Sequence, residues 1–197
     1  MAQKKHDDPS QDTSPNTRGV DQPEQTSGKE LPEKNLPGQT VYDRALQHAA
    51  TGNYQKALDL LRSAPRDLRV QNAIGVCLIR LGRTEDAVRV FRDFVLGPGG
   101  FGIDPDAPLI ARVNYATSLL LEGRPVGCLD ALAGVRGDKH PAVQRLQAVI
   151  KEWERSLSFW QRLNWRFGRI EPRDAPVKFD FPPGEFEVEL PDQTGQE

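Results

Sequence analysis

Residues 75–91 read GVCLIRLGRTEDAVRVF, and the spacing of small, glycine and large apolar residues in this stretch decides the fold. Gly75 is followed seven positions later by Gly82, after five more by Ala87, and after another four by Phe91. The same spacing recurs twice, in the sets Ala45, Gly52, Ala57, Leu61 and Ala116, Gly123, Cys128, Leu132. A pattern that repeats in this way predicts stacked copies of one helical hairpin.

The central glycine of each set lies where one run of helical apolar spacing ends and the next begins. Glycine reaches the left-handed backbone conformation without steric cost, so it ends the first helix and turns the chain back. The small residues then lie where the two helices of a hairpin cross closely. The pattern therefore predicts an all-α protein built from three helical hairpins.

Over residues 38–135 the sequence resembles the tetratricopeptide repeat (TPR) family, with about three degenerate repeats. The usual early Trp is missing, and His48, Leu78 and Leu119 replace the usual Tyr. Residues 97–108 are rich in Gly and Pro and lengthen the second repeat as a loop between hairpins. The resemblance implies a short right-handed solenoid that acts as a protein–protein interaction module, an adaptor or scaffold without enzymatic activity.

The resemblance also implies a concave groove lined by the first helix of each hairpin. Its mixture of arginine, polar and aliphatic side chains suits an extended peptide that alternates apolar and acidic residues. The alternative is that these residues merely cover the core of a short stack. The implied peptide-binding residues are Tyr42, Leu46, Arg69, Asn72, Val76, Arg80, Ile110, Val113 and Thr117.

Some members of the family hold the C-terminal carboxylate of heat-shock chaperones through a set of Lys, Asn and Arg side chains. At the matching positions this sequence has Tyr42, Leu46, Ala73, Ile110 and Asn114. Most of the clamp is absent, so we do not expect a chaperone ligand of that kind.

Composition divides the chain into three parts. Residues 1–38 contain five prolines and few apolar residues, which predicts a disordered N-terminal tail. Residues 39–168 form the predicted repeat domain with its capping helix. Residues 169–197 are Pro-rich and carry eight acids against three bases, which predicts an acidic C-terminal tail that is not helical.

Apolar residues from Val143 to Phe167 follow alternating steps of three and four, which predicts one long helix over 141–167 that caps the stack. Trp165 lies off this stripe. Basic residues interleaved with Trp support an alternative function, contact of this helix with an anionic membrane surface or RNA. Self-association through the helix is a further alternative.

Within residues 185–190, apolar side chains alternate with acidic ones, as in an extended strand. Two alternatives remain open for this segment. It packs along the repeat surface or enters a partner, or it belongs to a disordered acidic tail. In the docked case, the expected charge pairs join Arg69 and Arg80 to Glu185, Glu187 and Glu189.

The remaining features exclude function classes. A formal charge of -2 argues against DNA or RNA as an obligate partner. The longest apolar runs are too short to cross a bilayer, and the N-terminus lacks the apolar run of a secretory signal, so a cytoplasmic location is expected. Neither a catalytic group nor a metal-ligand cluster occurs in the sequence, so we expect no cofactor and a protein or peptide of unknown identity as the partner.

Overall fold

The computed structural model describes residues 39–100, 102–135, 137–172 and 174–187. The predicted N-terminal tail lies outside the described residues. The described ranges contain eight α-helices and no β-strand. The helices are α1 (Val41–Ala50), α2 (Tyr54–Ser63), α3 (Leu68–Arg80), α4 (Thr84–Val95), α5 (Leu109–Leu121), α6 (Pro125–Ala131), α7 (Pro141–Ser156) and α8 (Phe159–Gly168).

Helices α1 to α6 pack as a stack of three hairpins. Helix α1 packs against α2, α3 against α4, and α5 against α6, while α2 contacts α3 and α4 contacts α5 between hairpins. Helix α3 also contacts α5, and α5 contacts α7, so these three helices form an inner row. One hydrophobic core runs through the stack. The predicted all-α solenoid of helical hairpins is confirmed.

Left-handed glycines end the first helix of each hairpin, as the sequence predicts. Gly52, Gly82 and Gly123 have φ angles of +80°, +72° and +81°. In each hairpin the residue after the glycine donates its N–H to the carbonyl oxygen five positions earlier, at 2.8 to 2.9 Å. These bonds satisfy carbonyl groups that the end of the helix would otherwise leave without partners.

Gly75 shows why the first position of a repeat must be small. A Cβ atom on Gly75 would lie 2.3 Å from Cζ of Phe91, far inside van der Waals contact. The ring of Phe91 therefore occupies the space beside the α3 backbone, and it is fully buried. The other non-turn members of the three sets are also buried: Ala45, Ala57, Leu61, Ala87, Ala116, Cys128 and Leu132.

The prediction of one helix over 141–167 is wrong, because the chain breaks between α7 and α8. Leu157 has an extended backbone with ψ of 141°. Ser158 then starts α8 with a capping box: the Gln161 N–H donates to Ser158 Oγ at 3.4 Å, and the Ser158 N–H donates to Gln161 Oε1 at 3.0 Å. Helix α7 alone packs on α5 and continues the stack.

Helix α8 is attached through Trp165. The indole ring of Trp165 packs edge-on against that of Trp153 in α7, with centroids 5.3 Å apart. Together with Leu157 these residues form a second, small core. None of the helices in the described ranges has the length and hydropathy that crossing a bilayer requires.

Substitution of Gly82 by Val is expected to lower the free energy of unfolding by about 1–3 kcal/mol, because a β-branched residue is strained in the left-handed region. Nothing lies within 4 Å of the added Cβ, so the loss reports backbone strain and not a clash. Gly137→Val is the matched control, because a Cβ there is equally unobstructed and its φ is not left-handed. Urea unfolding measures both variants, and equal midpoints would contradict the assigned helix end.

Gly75→Ala is expected to cost about 1–3 kcal/mol, because the Phe91 ring must move to admit the methyl group. Phe91→Leu removes the obstructing ring atoms. The double variant should therefore lose less stability than the sum of the two single variants. Thermal unfolding of the four proteins gives this coupling energy, and strictly additive losses would show that the two residues do not share one helix crossing.

Candidate functional site

An extended C-terminal segment, residues 174–187, lies along the inner row of helices. From Ala175 to Phe181 its residues are alternately half-buried and exposed, which an extended chain shows when one edge packs on a surface. The indole N–H of Trp153 in α7 donates to the Ala175 carbonyl oxygen at 2.8 Å and fixes the start of the segment. We refer to the surface of α3, α5 and α7 beneath the segment as the groove.

Asn114 of α5 pairs with the backbone of Glu185 as a neighbouring strand would. The Glu185 N–H donates to Asn114 Oδ1 at 2.9 Å, and Asn114 Nδ2 donates to the Glu185 carbonyl oxygen at 2.8 Å. The side-chain amide thus engages the donor and the acceptor that every residue except proline carries on its backbone. This contact recognises an extended backbone and not a particular side chain.

Asn72 of α3 extends the contact by one residue along the segment. Its Nδ2 donates to the carbonyl oxygens of Glu185 and Phe186, at 2.9 and 3.1 Å. Its Oδ1 accepts from Nδ2 of Asn114 at 2.8 Å, so amides 42 positions apart in sequence form one network. Both side chains are fully buried.

The segment supplies most of the hydrogen-bond partners of this network. Asn72 uses both of its Nδ2 protons on the segment, and Asn114 uses one proton and its Oδ1 there. These groups face the segment, so without it they would face solvent, and water would replace the lost hydrogen bonds. An extended backbone, or water in its place, must therefore fill the groove.

Arg80, the last residue of α3, holds the segment just before the asparagine network. Its Nε donates to the Pro183 carbonyl oxygen, and its Nη2 donates to that of Gly184 at 3.0 Å. The guanidinium lies 5.7 Å from the centroid of the Tyr54 ring and donates through Nη1 to the Tyr54 hydroxyl at 3.3 Å. The groove therefore bonds four consecutive carbonyl groups, those of residues 183–186.

At Gly184 the segment runs close to Val76 of α3. The φ of Gly184 is +90°, in the left-handed region that favours glycine. A Cβ at this position would lie 3.1 Å from Cγ1 of Val76. Both the backbone angle and the limited space therefore favour glycine here.

Helix α7 adds contacts with side chains of the segment. Arg145 forms an ion pair with Glu185, and its guanidinium lies over the Phe181 ring, 5.8 Å from the centroid. The Phe181 ring packs edge-on against Phe179, with centroids 5.5 Å apart. These contacts select an acidic residue at one position and aromatic residues on the preceding edge.

The nine residues predicted to line the groove are placed differently by the fold. Val113 and Thr117 line a crevice shared with Phe179, Phe181 and Gly184. Asn72, Val76 and Arg80 lie against residues 183–186, as described above. Elsewhere, Tyr42 and Leu46 are half-buried on α1, Arg69 is exposed near the start of α3, and Ile110 is buried in the core.

Tyr42 of α1 lies on the side of the groove where the charge of Glu187 acts on it. Burial raises the pKa of Tyr42, and the negative charge of Glu187 acts in the same direction. Arg69 lies over the Tyr42 ring, 5.7 Å from the centroid, and its positive charge opposes the rise.

The expected charge pairing of Arg69 and Arg80 with Glu185 is wrong. Arg69 instead pairs with Asp67 at 3.6 Å, and Arg80 binds backbone carbonyl groups. The carboxylate of Glu185 pairs with Arg145. Glu189 lies outside the described residues.

Two residues of the groove were missed in the sequence. Asn114 lies one position beyond the repeat register of Asn72, and the available signal was a lone amide within the apolar helix α5. Arg145 belongs to α7, which the sequence predicted as part of a capping helix and not as a wall of the groove. A helix that continues the inner row also lines the groove, and this placement depends on the tertiary packing.

The groove has the chemistry of a binding surface. Burial raises the pKa of the nearby α3 thiol, Cys77, to about 12, so this thiol stays protonated and unreactive near neutral pH. Within the described ranges, no three potential ligand side chains come together to hold a metal ion. The arrangement forms hydrogen bonds to an extended backbone.

Comparison with known proteins agrees with the stack of helical hairpins. The family model described as tetratricopeptide repeat matches residues 38–63, a span that contains α1 and α2. The resemblance to this family is confirmed, and such repeats are typically non-enzymatic modules of protein–protein interaction. Comparison with curated proteins found no match, and comparison with solved structures found none either.

Asn114→Ala is expected to loosen the segment, because Glu185 loses two hydrogen bonds and Asn72 loses one. Trypsin cleavage after the exposed Lys178 should accelerate by about tenfold, the factor that corresponds to a loss of 1 to 2 kcal/mol. Asn164→Ala is the matched control, because Asn164 is exposed on α8. Equal cleavage rates in the two variants would contradict the role of Asn114.

Proposed function

We propose that this chain is a non-enzymatic protein–protein interaction module, an adaptor or scaffold, that binds an extended peptide in its groove. The observation that carries the proposal is the pair of buried amides, Asn72 and Asn114, bonded to the backbone at Glu185 and Phe186. Main-chain hydrogen bonds of this kind provide affinity for any chain that runs extended over them. The C-terminal segment is thus an internal example of the ligand.

The contacts around the amides define the chemistry of a preferred ligand. The position over Val76 favours glycine, for the reasons of angle and space given above. The next position favours an acidic residue because Arg145 pairs with it. The crevice at Val113 and Thr117 accepts aromatic side chains. The preferred ligand is therefore an extended peptide with aromatic residues, then glycine, then an acid.

The C-terminal segment competes with such a ligand for the groove. Because the segment is tethered to the same chain, it rebinds at a high effective concentration. The apparent affinity for a free ligand is then reduced by the fraction of molecules in which the groove is open. A partner gains access by outcompeting the segment or by stabilising the open state.

The partner in this proposal is a protein or peptide, and the setting is the cytoplasm. The formal net charge of -2 provides no general attraction for DNA. Backbone recognition by amides requires neither a cofactor nor a metal ion.

Gly184→Val in the full chain is expected to open the groove, because the substitution introduces both backbone strain and contact with Val76. A fluorescent peptide of residues 174–187 should then bind about tenfold more tightly than it binds the unmodified chain, because the competing segment is displaced. Fluorescence anisotropy measures both affinities. Gly102→Val is the matched control, because Gly102 has a φ of +70° and open space around it, remote from the groove.

Adding Asn114→Ala to the Gly184→Val chain should abolish the gained binding. The same two variants identify a partner. It is a protein that the Gly184→Val chain retains from lysate and that the chain carrying both substitutions does not retain. If the peptide binds equally with and without Asn114→Ala, or binds neither chain, the groove is not the peptide site.

A further inference from the structure

Helix α8 presents its apolar side chains outward, away from the fold. Phe159, Leu163 and Phe167 recur every four residues and share one face, which Trp160 extends. Phe159, Trp160 and Phe167 are 72%, 70% and 82% exposed. The buried Trp165 lies on the opposite side of the helix and is only 5% exposed. The described residues therefore leave the apolar face uncovered. A rotation of α8 by half a turn would have buried these side chains against α7 instead.

A basic cleft lies on the Trp165 side of α8, and Arg166 connects it to the edge of the apolar face. It has a volume of about 450 Å³ and lies between α8 and the C-terminal half of α7. One acid, Glu154, lines it, and that carboxylate already accepts the Trp165 indole N–H at 2.8 Å. The basic side chains that line the cleft are Lys151, Arg155, Arg162, Arg166 and Arg169.

Arg162 fixes the orientation of α8. Its guanidinium donates to the carbonyl oxygens of Glu154, Arg155 and Leu157, at 3.2, 2.6 and 3.1 Å. These carbonyls belong to the end of α7, which otherwise lacks donors. The outward direction of the apolar face is therefore built into the fold and does not depend on a freely rotating helix.

We propose that α8 docks on an anionic phospholipid surface. Exposed Phe and Trp side chains on one face of a helix insert at the boundary between headgroups and acyl chains, where Trp in particular is favoured. Arg155 pairs with Glu152 at 3.2 Å and Arg162 binds the α7 carbonyls, so Lys151, Arg166 and Arg169 are the bases of the cleft that meet the lipid phosphates. The surface is separate from the groove and does not depend on the proposed peptide ligand.

The composition of the apolar face favours lipid over RNA. Leu163 and the adjacent Ile170, which is 59% exposed, provide apolar area without a ring on which a base could stack. Insertion into lipid uses aliphatic and aromatic area alike. Arginines bind the phosphates of lipid and of RNA alike, so the test must separate the two ligands.

The test is flotation of the full chain with vesicles of phosphatidylcholine alone or with about 30% phosphatidylserine. Binding should be at least about tenfold stronger with phosphatidylserine and should weaken as salt is raised. The emission of Trp160 should shift to shorter wavelength, because Trp153 and Trp165 are already buried. Trp160→Phe should remove this shift.

Two variants separate the apolar and basic contributions. Phe159→Ser with Phe167→Ser should abolish flotation, because both side chains are largely exposed and their replacement leaves the core intact. Lys151→Gln with Arg166→Gln should weaken binding and flatten its salt dependence. The matched control is Arg62→Gln with Arg89→Gln, which removes equal charge from exposed positions on α2 and α4 and should leave flotation unchanged.

Three results would overturn the proposal. The first is no flotation, or equal flotation with neutral vesicles. The second is retention by single-stranded RNA with no binding to vesicles, which would assign the basic cleft to nucleic acid. The third is a dimer in sedimentation that Phe159→Ser with Phe167→Ser dissociates, with no vesicle binding, which would assign the apolar face to a second copy.

Discussion

Two fully buried asparagine amides set the constraint on which the rest of this structure depends. Asn72 and Asn114 bond to each other, and together they direct donors and an acceptor towards the inner face of the stack. Four hydrogen bonds join the two amides to residues 185 and 186, and each contributes about 0.5–1.5 kcal/mol. These bonds favour an extended backbone at residues 185–186, while the preference for glycine at 184 follows from its φ of +90° and from the contact with Val76.

The network also joins the site to the stack. Asn72 lies in the second hairpin and Asn114 in the third, so their contact exists only when α3 and α5 pack side by side. That packing depends in turn on close helix crossings such as the one between Gly75 and the Phe91 ring. Substitutions in the repeat pattern should therefore weaken the groove, although the hydrogen bonds to residues 185 and 186 come from Asn72 and Asn114, which are not part of the pattern.

Local features of the sequence predict the hairpins well. The left-handed glycines and the buried small residues follow from steric rules that act within one hairpin, so Gly82 and Gly75 could be identified without tertiary information. The break before α8 was also readable, because Ser158 and Gln161 have the spacing of a capping box, but the continuous apolar stripe over 141–167 hid it.

The partners of individual side chains could not be read in the same way. The extended edge of the tail follows from the alternation of its residues, yet charge alone suggested Arg69 and Arg80 as partners for its acids. The fold places Arg145 beside Glu185 and directs Arg80 to carbonyl groups. Such choices depend on how α7 sits against α5, and no local spacing encodes that packing. The outward apolar face of α8 could not be predicted either, because the sequence indicated one helix over 141–167 and not two.

The most direct test of the account is an NMR measurement on the full chain at the Asn114–Glu185 contact. A nuclear Overhauser effect is expected between the Asn114 Nδ2 protons and the Glu185 amide proton, together with slow exchange of that amide with solvent. Absence of the effect, with the Glu185 amide exchanging as fast as in an unstructured peptide, would contradict it.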